Sequence, residues 1–164
     1  KSKYLLFINS GDTINKKEFL AILSFLEFKD NCSIICGYKT YEKSNFFAEN
    51  IKLLIHKIEI LLKFSLPSSH NSIIYLTKIL KFFPFDEEYI CASDYNQYLE
   101  LLNYKHKFIN KRSFKITNIS TQGFIAKRRL MSYKECIKIN YLKKHFLGFI
   151  YWKIKKFLLN INPL

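Results

Sequence analysis

Polar residues able to bind an ion or a phosphate follow a short apolar run at the start of the chain. The run KYLLFIN (residues 3–9) has the composition of a buried strand, and Asn9-Ser10-Gly11-Asp12 follows it directly. In α/β proteins, ligands bind beyond the carboxyl ends of strands. A carboxylate there can hold a divalent ion that neutralises a diphosphate. Taken alone, the motif is more often a plain Gly-Asp turn that caps the next helix.

Two further segments carry side chains that can act on a sugar or a phosphate. His70 and Asn71 follow a Pro-containing loop, and both side chains can hydrogen-bond hydroxyls or phosphates. Taken alone, His70 is more often a loop histidine with satisfied hydrogen bonds. Asp94 lies at the head of a predicted helix, where an acid ordinarily caps the helix or interacts with its dipole. In a cleft, the same carboxylate could accept the proton of an attacking hydroxyl as a general base.

The hydrophobic pattern predicts the elements that must position these groups. Helices are predicted over 16–28, 50–64 and 93–104, with Asn15 and Ser93 capping the first and the last. Strands are predicted over 3–9, over 33–40 and, as one or two strands, over 106–119. Residues 71–82 fit either a strand or a helix. No internal repeat or linker is visible, so a single domain is expected over 1–164.

Charge is distributed very unevenly along the chain. Residues 1–102 hold 12 Lys/Arg and 12 Asp/Glu, whereas residues 103–164 hold 15 Lys/Arg and one acid, Glu135, so the second part carries the whole net charge of +14. Such asymmetry predicts a polyanionic partner, which could be membrane phospholipid, a phosphorylated ligand or nucleic acid. Charge alone does not choose among the three.

The four cysteines show no metal-binding pattern. None of them belongs to a Cys-x-x-Cys pair, and no histidine cluster accompanies them, so the spacing disfavours a structural zinc site. Cys32 and Cys36 lie in apolar sequence and are predicted to be small core residues.

The C-terminal part is predicted to form a basic amphipathic helical tail over 131–159. Its longest run without Lys or Arg, residues 145–152, is far shorter than the ~20 residues that span a bilayer. Lysines interleaved with aromatic residues suit the surface of an anionic membrane. The same helix could instead pack its apolar stripe on the domain, and one helix could do both.

Three segments in order, KYLLFINSGDTI, LPSSHNSIIY and FDEEYICASDYNQYLELL, resemble bacterial family 2 glycosyltransferases. Within that family they are most similar to the branch that assembles exopolysaccharide and lipopolysaccharide. That branch shows a strand ending in Leu-Asn-Ser/Ala-Gly-Asp, a Pro-x-x-His-Gln loop and an Asp-Tyr helix start. The segment TQGFIA (residues 121–126) stands where the branch has a Gly-Gly-x-Ser-like segment. The resemblance covers roughly residues 3–140 and implies a GT-A-like α/β fold, with a mainly parallel sheet flanked by helices.

The resemblance also implies roles for individual residues. Asp12 would bind a divalent metal, manganese or magnesium, that contacts the diphosphate of a nucleotide-sugar donor. Ser10 stands where the family often has a second acid, and it would line the donor or acceptor site with Gly11, His70 and Asn71. Asp94 would be the base that deprotonates the acceptor hydroxyl in an inverting displacement.

The sequence departs from the family pattern in three ways. Asn71 replaces the more usual Gln, and within residues 121–126 one glycine of the pair is lost and Ala126 replaces Ser. The first βαβ units of the family, which hold the base and ribose, would be expected before Lys1. The sequence is therefore expected to be the N-terminally truncated, acceptor-side part of a catalytic domain.

The function implied is transfer of a sugar to a saccharide or lipid-linked acceptor in bacterial surface polysaccharide synthesis. The enzyme would be cytoplasmic and peripheral on the inner face of the cytoplasmic membrane. One alternative is a non-catalytic, membrane-associated remnant of the fold. The other is a nucleic-acid-binding module, which the basic C-terminal part would suit. Nucleic acid is not the expected partner, because that function leaves Asp12, His70 and Asp94 unexplained.

Overall fold

A computed structural model of the chain describes residues 2–27, 29, 31–40, 57–119 and 128–161. Residues 50–56 of one predicted helix, and the segment 121–126, lie outside these residues. The chain divides into two compact units. Unit 1 comprises Lys1–Lys43, Pro67–Pro84 and Leu101–Thr121, and unit 2 comprises Ser44–Leu66, Phe85–Glu100 and Gln122–Leu164. That the two together form the predicted single domain stays a prediction.

The described residues form both strands and helices along the chain, which confirms the α/β class. The strands are β1 (Tyr4–Leu5), β2 (Thr13–Ile14), β3 (Ser33–Thr40), β4 (Ile73–Leu76) and β5 (Phe108–Ile119). The helices are α1 (Lys16–Glu27), α2 (Thr77–Phe82), α3 (Ser93–Asn103), α4 (Arg129–Leu142) and α5 (Phe146–Ile161). A 3₁₀ turn, His70–Ser72, precedes β4, and residues 57–61 are helical.

The five strands form one mixed sheet in the order β1-β4-β3-β5-β2. Only β3 and β5 are parallel among the described pairs, whereas β1–β4, β3–β4 and β2–β5 are antiparallel. The prediction of a mainly parallel sheet is therefore wrong. A buried strand has the same apolar pattern whether its neighbouring strand is parallel or antiparallel. The pattern therefore did not distinguish a parallel sheet from a mixed one.

The core of unit 1 lies between α1 and one face of the sheet. Asn15 caps α1, since its Oδ1 accepts a hydrogen bond from the Glu18 amide at 3.4 Å, which confirms the predicted cap. The buried apolar side chains of α1 recur at helical spacing and therefore face the same side, where they pack on β3, β4 and β5. The cluster consists of Ile22, Leu26, Ile34, Cys36, Ile74 and Ile116.

The N-terminal strand is shorter than predicted. Of residues 3–9, only Tyr4–Leu5 pairs, with Tyr75 and Leu76 of β4, and a second short strand, Thr13–Ile14, was not predicted. Residues 71–82, which fitted either a strand or a helix, form one of each, because β4 passes directly into α2. Short apolar runs cannot be assigned by periodicity alone, since pairing depends on what lies alongside.

The C-terminal part is helical as predicted over 131–159, but a break that was not predicted divides it into two helices. Helix α4 ends at Leu142, and Lys144 takes a left-handed backbone conformation with φ of 54° before α5 begins. The His145 amide donates to the Asn140 carbonyl at 2.8 Å across the turn. This local geometry ends the helix although no Gly or Pro marks the break.

A buried polar network holds α4 and α5 together in unit 2. Asn140 is fully buried, and its Nδ2 donates to the Cys136 carbonyl at 2.7 Å and to the Tyr95 hydroxyl at 3.1 Å. Its Oδ1 lies 2.7 Å from His145 Nδ1, so that nitrogen is the donor. The Tyr95 hydroxyl also donates to the Lys63 carbonyl at 2.9 Å. Both ends of the buried amide are thereby satisfied.

The four cysteines are all buried free thiols. Cys32 and Cys36 belong to unit 1, which confirms their prediction as core residues, and Cys91 and Cys136 belong to unit 2. Burial raises the pKa of the Cys36 thiol to about 12 and also raises the pKa of the Cys136 thiol.

Stability should fall when the pH drops from about 7.5 to about 5, because burial lowers the pKa of both His106 and His145 below 6.5. The unfolded chain then binds protons that the folded chain resists, so the free energy of unfolding decreases as pH falls through that range. Urea denaturation at several pH values measures it. The double variant His106→Gln/His145→Gln should lose less stability over the same range, and an equal loss would contradict the assignment.

Candidate functional site

Asp12 lies at the end of a tight turn that its neighbours shape. The Asp12 amide donates to the Asn9 carbonyl at 3.1 Å, and Gly11 has a φ of 90°. A type II turn requires a positive φ at its third residue, which explains glycine at this position. Ser10 and Gly11 are exposed and Asp12 is half-buried, so the turn presents this segment to solvent.

Strand β2 fixes this turn to the end of β5. Thr13 pairs with Asn118, and the Asn118 Nδ2 donates to Thr13 Oγ1 at 3.2 Å. The Asn15 amide donates to the Ile116 carbonyl at 2.8 Å. Asp12 was predicted to lie beyond the carboxyl end of a strand. It instead directly precedes β2, at the edge of the sheet where β2 and β5 run antiparallel.

Asn71 is brought to Asp12 from a segment 59 positions along the chain. The buried Asn71 side chain donates a hydrogen bond through Nδ2 to Asp12 Oδ2. The adjacent Ser72 hydroxyl hydrogen-bonds the Thr117 hydroxyl of β5. Since β5 also holds the Asp12 turn through Thr13, one strand positions both halves of the pair. We call Asp12 with Asn71 the Asp12–Asn71 pair.

The loop before Asn71 is well anchored. Pro67 and Ser68 are buried, and the Arg112 guanidinium donates to the Pro67 carbonyl at 3.4 Å. The Ser72 amide donates to the Ser69 carbonyl at 2.8 Å and closes the 3₁₀ turn. This turn has His70 as its first residue, half-buried and next in the chain to Asn71. The predicted contact of His70 with a sugar or phosphate stays a prediction.

The electrostatics of the pair suit a ligand that brings a positive charge. Asn71 Oδ1 is buried and makes no hydrogen bond to any described residue, so an uncompensated acceptor accompanies the Asp12 carboxylate. A buried acceptor without a partner is costly, and a bound cation or donor would relieve that cost.

A divalent ion at Asp12 would need further ligands from water or a substrate. Within the described ranges no group of three or more His, Cys, Asp or Glu side chains could hold a metal ion. Magnesium, however, often takes one or two protein carboxylates and completes its shell with water and substrate phosphates. Asp12 with a bound diphosphate would supply that kind of ligand set.

Asp94 lies in unit 2, whereas Asp12, His70 and Asn71 lie in unit 1. It belongs to the first turn of α3, and its Oδ1 accepts a hydrogen bond from the Tyr95 amide at 2.8 Å. An acid in the first turn of a helix also interacts favourably with the helix dipole. The predicted cap by Ser93 is wrong, because the Ser93 hydroxyl donates to the Asp86 carbonyl at 2.7 Å and the first helical bond reaches the Ala92 carbonyl.

Glu135 holds the segment that leads into α3, a role that the sequence did not predict. Its carboxylate accepts hydrogen bonds from three successive backbone amides, those of Ile90 at 3.1 Å, Cys91 at 2.8 Å and Ala92 at 2.9 Å. Successive backbone amides form a concave anion site, and these three belong to the residues that immediately precede α3. A signal existed, since Glu135 is the single acid of residues 103–164.

Comparison with protein-family models and with curated proteins finds no match to this sequence. Of the predicted site residues, Asp12 and Asn71 contact each other directly. Ser10 and Gly11 lie in the turn before Asp12, and His70 precedes Asn71 in the 3₁₀ turn.

Proposed function

We propose that the chain takes part in glycosyl transfer from a nucleotide-diphospho-sugar donor to a saccharide or lipid-linked acceptor in bacterial surface polysaccharide synthesis. The observation that supports this proposal is the hydrogen bond between Asn71 and Asp12. Two segments that resemble separate motifs of family 2 glycosyltransferases meet there. A GT-A-like arrangement of the α/β fold is part of the same proposal.

The Asp12–Asn71 pair is the proposed donor site. Asp12 would hold manganese or magnesium, and the ion would neutralise the charge that develops on the diphosphate leaving group. Asn71 orients the carboxylate, since its amide is fixed by burial and by the Ser72–Thr117 hydrogen bond. Ser10 and Gly11 form an exposed turn that lets a ligand approach, and His70 would hydrogen-bond a sugar hydroxyl or phosphate.

Asp94 is the proposed base. Its carboxylate is half-buried and is oriented by the Tyr95 amide at 2.8 Å. A carboxylate held in this way can accept a proton from an acceptor hydroxyl while that oxygen attacks the anomeric carbon. The attack from the side opposite the leaving group would invert the configuration. Asp94→Asn should then abolish transfer and leave donor binding unchanged.

Calorimetric titration of UDP and GDP, with and without manganese, tests the donor site. We expect one nucleotide to bind in a metal-dependent manner, and Asp12→Ala to weaken that binding at least about tenfold, because the carboxylate is the proposed metal ligand. Glu27→Ala is the matched control, since it removes one exposed carboxylate from α1 of the same unit. If neither nucleotide binds, or if Asp12→Ala binds like the native chain, the proposal is wrong.

A non-catalytic remnant of the fold is the second candidate. It is favoured by the hydrogen bonds of Asp12 and Asp94 to other groups of the chain, which a purely structural role would also require. This candidate predicts no nucleotide binding, with Asp12→Ala and Asn71→Ala lowering stability by similar amounts. Thermal unfolding of the two variants, measured beside the titration, separates the two candidates.

A further inference from the structure

Helix α5 carries large apolar side chains on two opposite faces. One face, with Gly148 and Trp152, is buried in unit 2. The other presents six large apolar residues to solvent, each between 38% and 69% exposed: Phe146, Leu147, Ile150, Ile154, Phe157 and Leu158. We call these six residues the outer face of α5.

The outer face is a continuous stripe. At about 100° of rotation per residue, the six positions fall within about 120° around the helix axis, over three turns of the helix. Exposed apolar residues on a soluble surface are usually scattered, and a contiguous patch indicates a surface that contacts something else. One helical stripe of this width is the form that an interfacial helix takes.

Residues 128–161 are rich in basic side chains, and three of these form ion pairs with acids of the same unit: Lys138 with Glu88, Lys143 with Glu100 and Lys155 with Glu59. Residues 128–161 contain nine basic residues and a single acid, Glu135, whose carboxylate is taken up by three backbone amides. The basic residues are Arg128, Arg129, Lys134, Lys138, Lys143, Lys144, Lys153, Lys155 and Lys156. Lys153 borders the outer face, with its ammonium 4.4 Å from the centre of the Phe149 ring.

We propose that the outer face of α5 docks into the surface of an anionic lipid bilayer, with the helix axis parallel to the membrane plane. Apolar side chains enter the acyl boundary, and the surrounding lysines contact lipid phosphates. No helix in the described part of the chain is long and apolar enough to cross a bilayer. The docking depends on unit 2 alone and does not require the transfer reaction.

The charge distribution favours lipid over a second copy of the chain. Two outer faces packed together would bring two copies of α5, each with three lysines and no acid, close to each other, and like charges there repel. An anionic bilayer compensates the same charges. Lipid also accepts a single amphipathic stripe without any shape requirement, whereas a protein partner needs a complementary surface.

Vesicle co-sedimentation of the full chain tests the proposal. We expect binding to phosphatidylcholine vesicles that contain phosphatidylglycerol, weaker binding to phosphatidylcholine alone, and weakening by salt. The variant Ile154→Gln/Phe157→Gln should lower the partition coefficient at least about tenfold, because both side chains lose their apolar contact with lipid. The matched control is Leu20→Gln/Phe82→Gln, which changes two similarly exposed residues of unit 1 and should bind like the native chain.

The orientation of α5 has a separate test. An environment-sensitive fluorophore attached to Phe157→Cys should shift its emission to the blue on vesicle binding, and one attached to Lys156→Cys, about 100° away around the helix, should shift less. The four native thiols are buried and compete little for the label.

Three results would overturn the proposal. The first is undiminished vesicle binding by Ile154→Gln/Phe157→Gln. The second is equal fluorescence shifts at the two labelled positions. The third is a native dimer in analytical ultracentrifugation that the same double variant dissociates, since the outer face would then be an interface between copies of this chain.

Discussion

Replacing Gly148 with alanine should lower the free energy of unfolding by about 3 kcal/mol, because α4 and α5 meet at this residue without room for a side chain. A Cβ at position 148 would lie 2.6 Å from His145 Nδ1 and 2.8 Å from Asn140 Cγ, and closer still to Asn140 Oδ1. Those atoms belong to the buried network that also includes Tyr95. The new methyl group must therefore break hydrogen bonds, which outweighs the roughly 1 kcal/mol that alanine gains in a helix.

Urea denaturation followed by far-ultraviolet circular dichroism measures this loss. Leu147→Ala, at the exposed neighbouring position, should cost less than about 1 kcal/mol and serves as the control. In a double-mutant cycle, Asn140→Ala should recover part of the cost of Gly148→Ala, because the atoms that clash with the methyl group are then absent. Additive losses would show that the close approach is not the cause.

Glu135→Gln should lower the free energy of unfolding by about 2 kcal/mol. The glutamate accepts three backbone amides at 2.8 to 3.1 Å, whereas glutamine keeps the shape but loses the charge and one acceptor oxygen. The amides of Cys91 and Ala92 belong to buried residues, so water does not readily replace the lost oxygen. The helix dipole of α3 also loses a favourable negative charge.

Amide hydrogen exchange gives this prediction a local readout. In Glu135→Gln the amides of Ile90, Cys91 and Ala92 should exchange faster, and the amides of α1 in unit 1 should not change. Lys134→Gln alters the adjacent, exposed position of the same helix and should leave both stability and exchange near native values. Uniform acceleration across both units would instead indicate global destabilisation and would contradict a local role for Glu135.

The parts of the structure that depend on local chemistry were predictable from the sequence. Asn15 caps α1 as expected, since a short polar side chain before an apolar-periodic segment acts within one turn. The strand Ser33–Thr40 was predicted with its bounds, because turn residues bracket a short β-rich run. The Gly11 turn likewise follows from the residue that its backbone conformation requires.

The parts that depend on distant neighbours were not predictable. Ser93 has the composition of a cap, yet its hydroxyl donates to Asp86, and the segment before α3 is held by Glu135, 42 residues beyond the first residue of that helix. The direction of β3 relative to β4 and the break between α4 and α5 at Lys144 are likewise set by packing, which a single sequence does not encode in its periodicity.

The candidate site divides in the same way. The motifs identified Asp12 and Asn71 separately, but spacing alone could not show that the amide of one reaches the carboxylate of the other. That contact requires β5 to hold Thr13 and Ser72 at once, through Asn118 and Thr117. The sheet brings Asp12 and Asn71 together although they lie 59 positions apart, and no local sequence pattern specifies such a contact.

Each unit contains two of the four buried thiols, so the rate at which its thiols react reports how often that unit opens. A thiol reagent reaches Cys32 and Cys36 only when unit 1 opens, and Cys91 and Cys136 only when unit 2 opens. Labelling under native conditions, followed by mass spectrometry of the peptides, would therefore time the opening of the two units independently. Matching rates would mean that the units open as one cooperative body, and a faster rate in one pair would identify the unit that opens first.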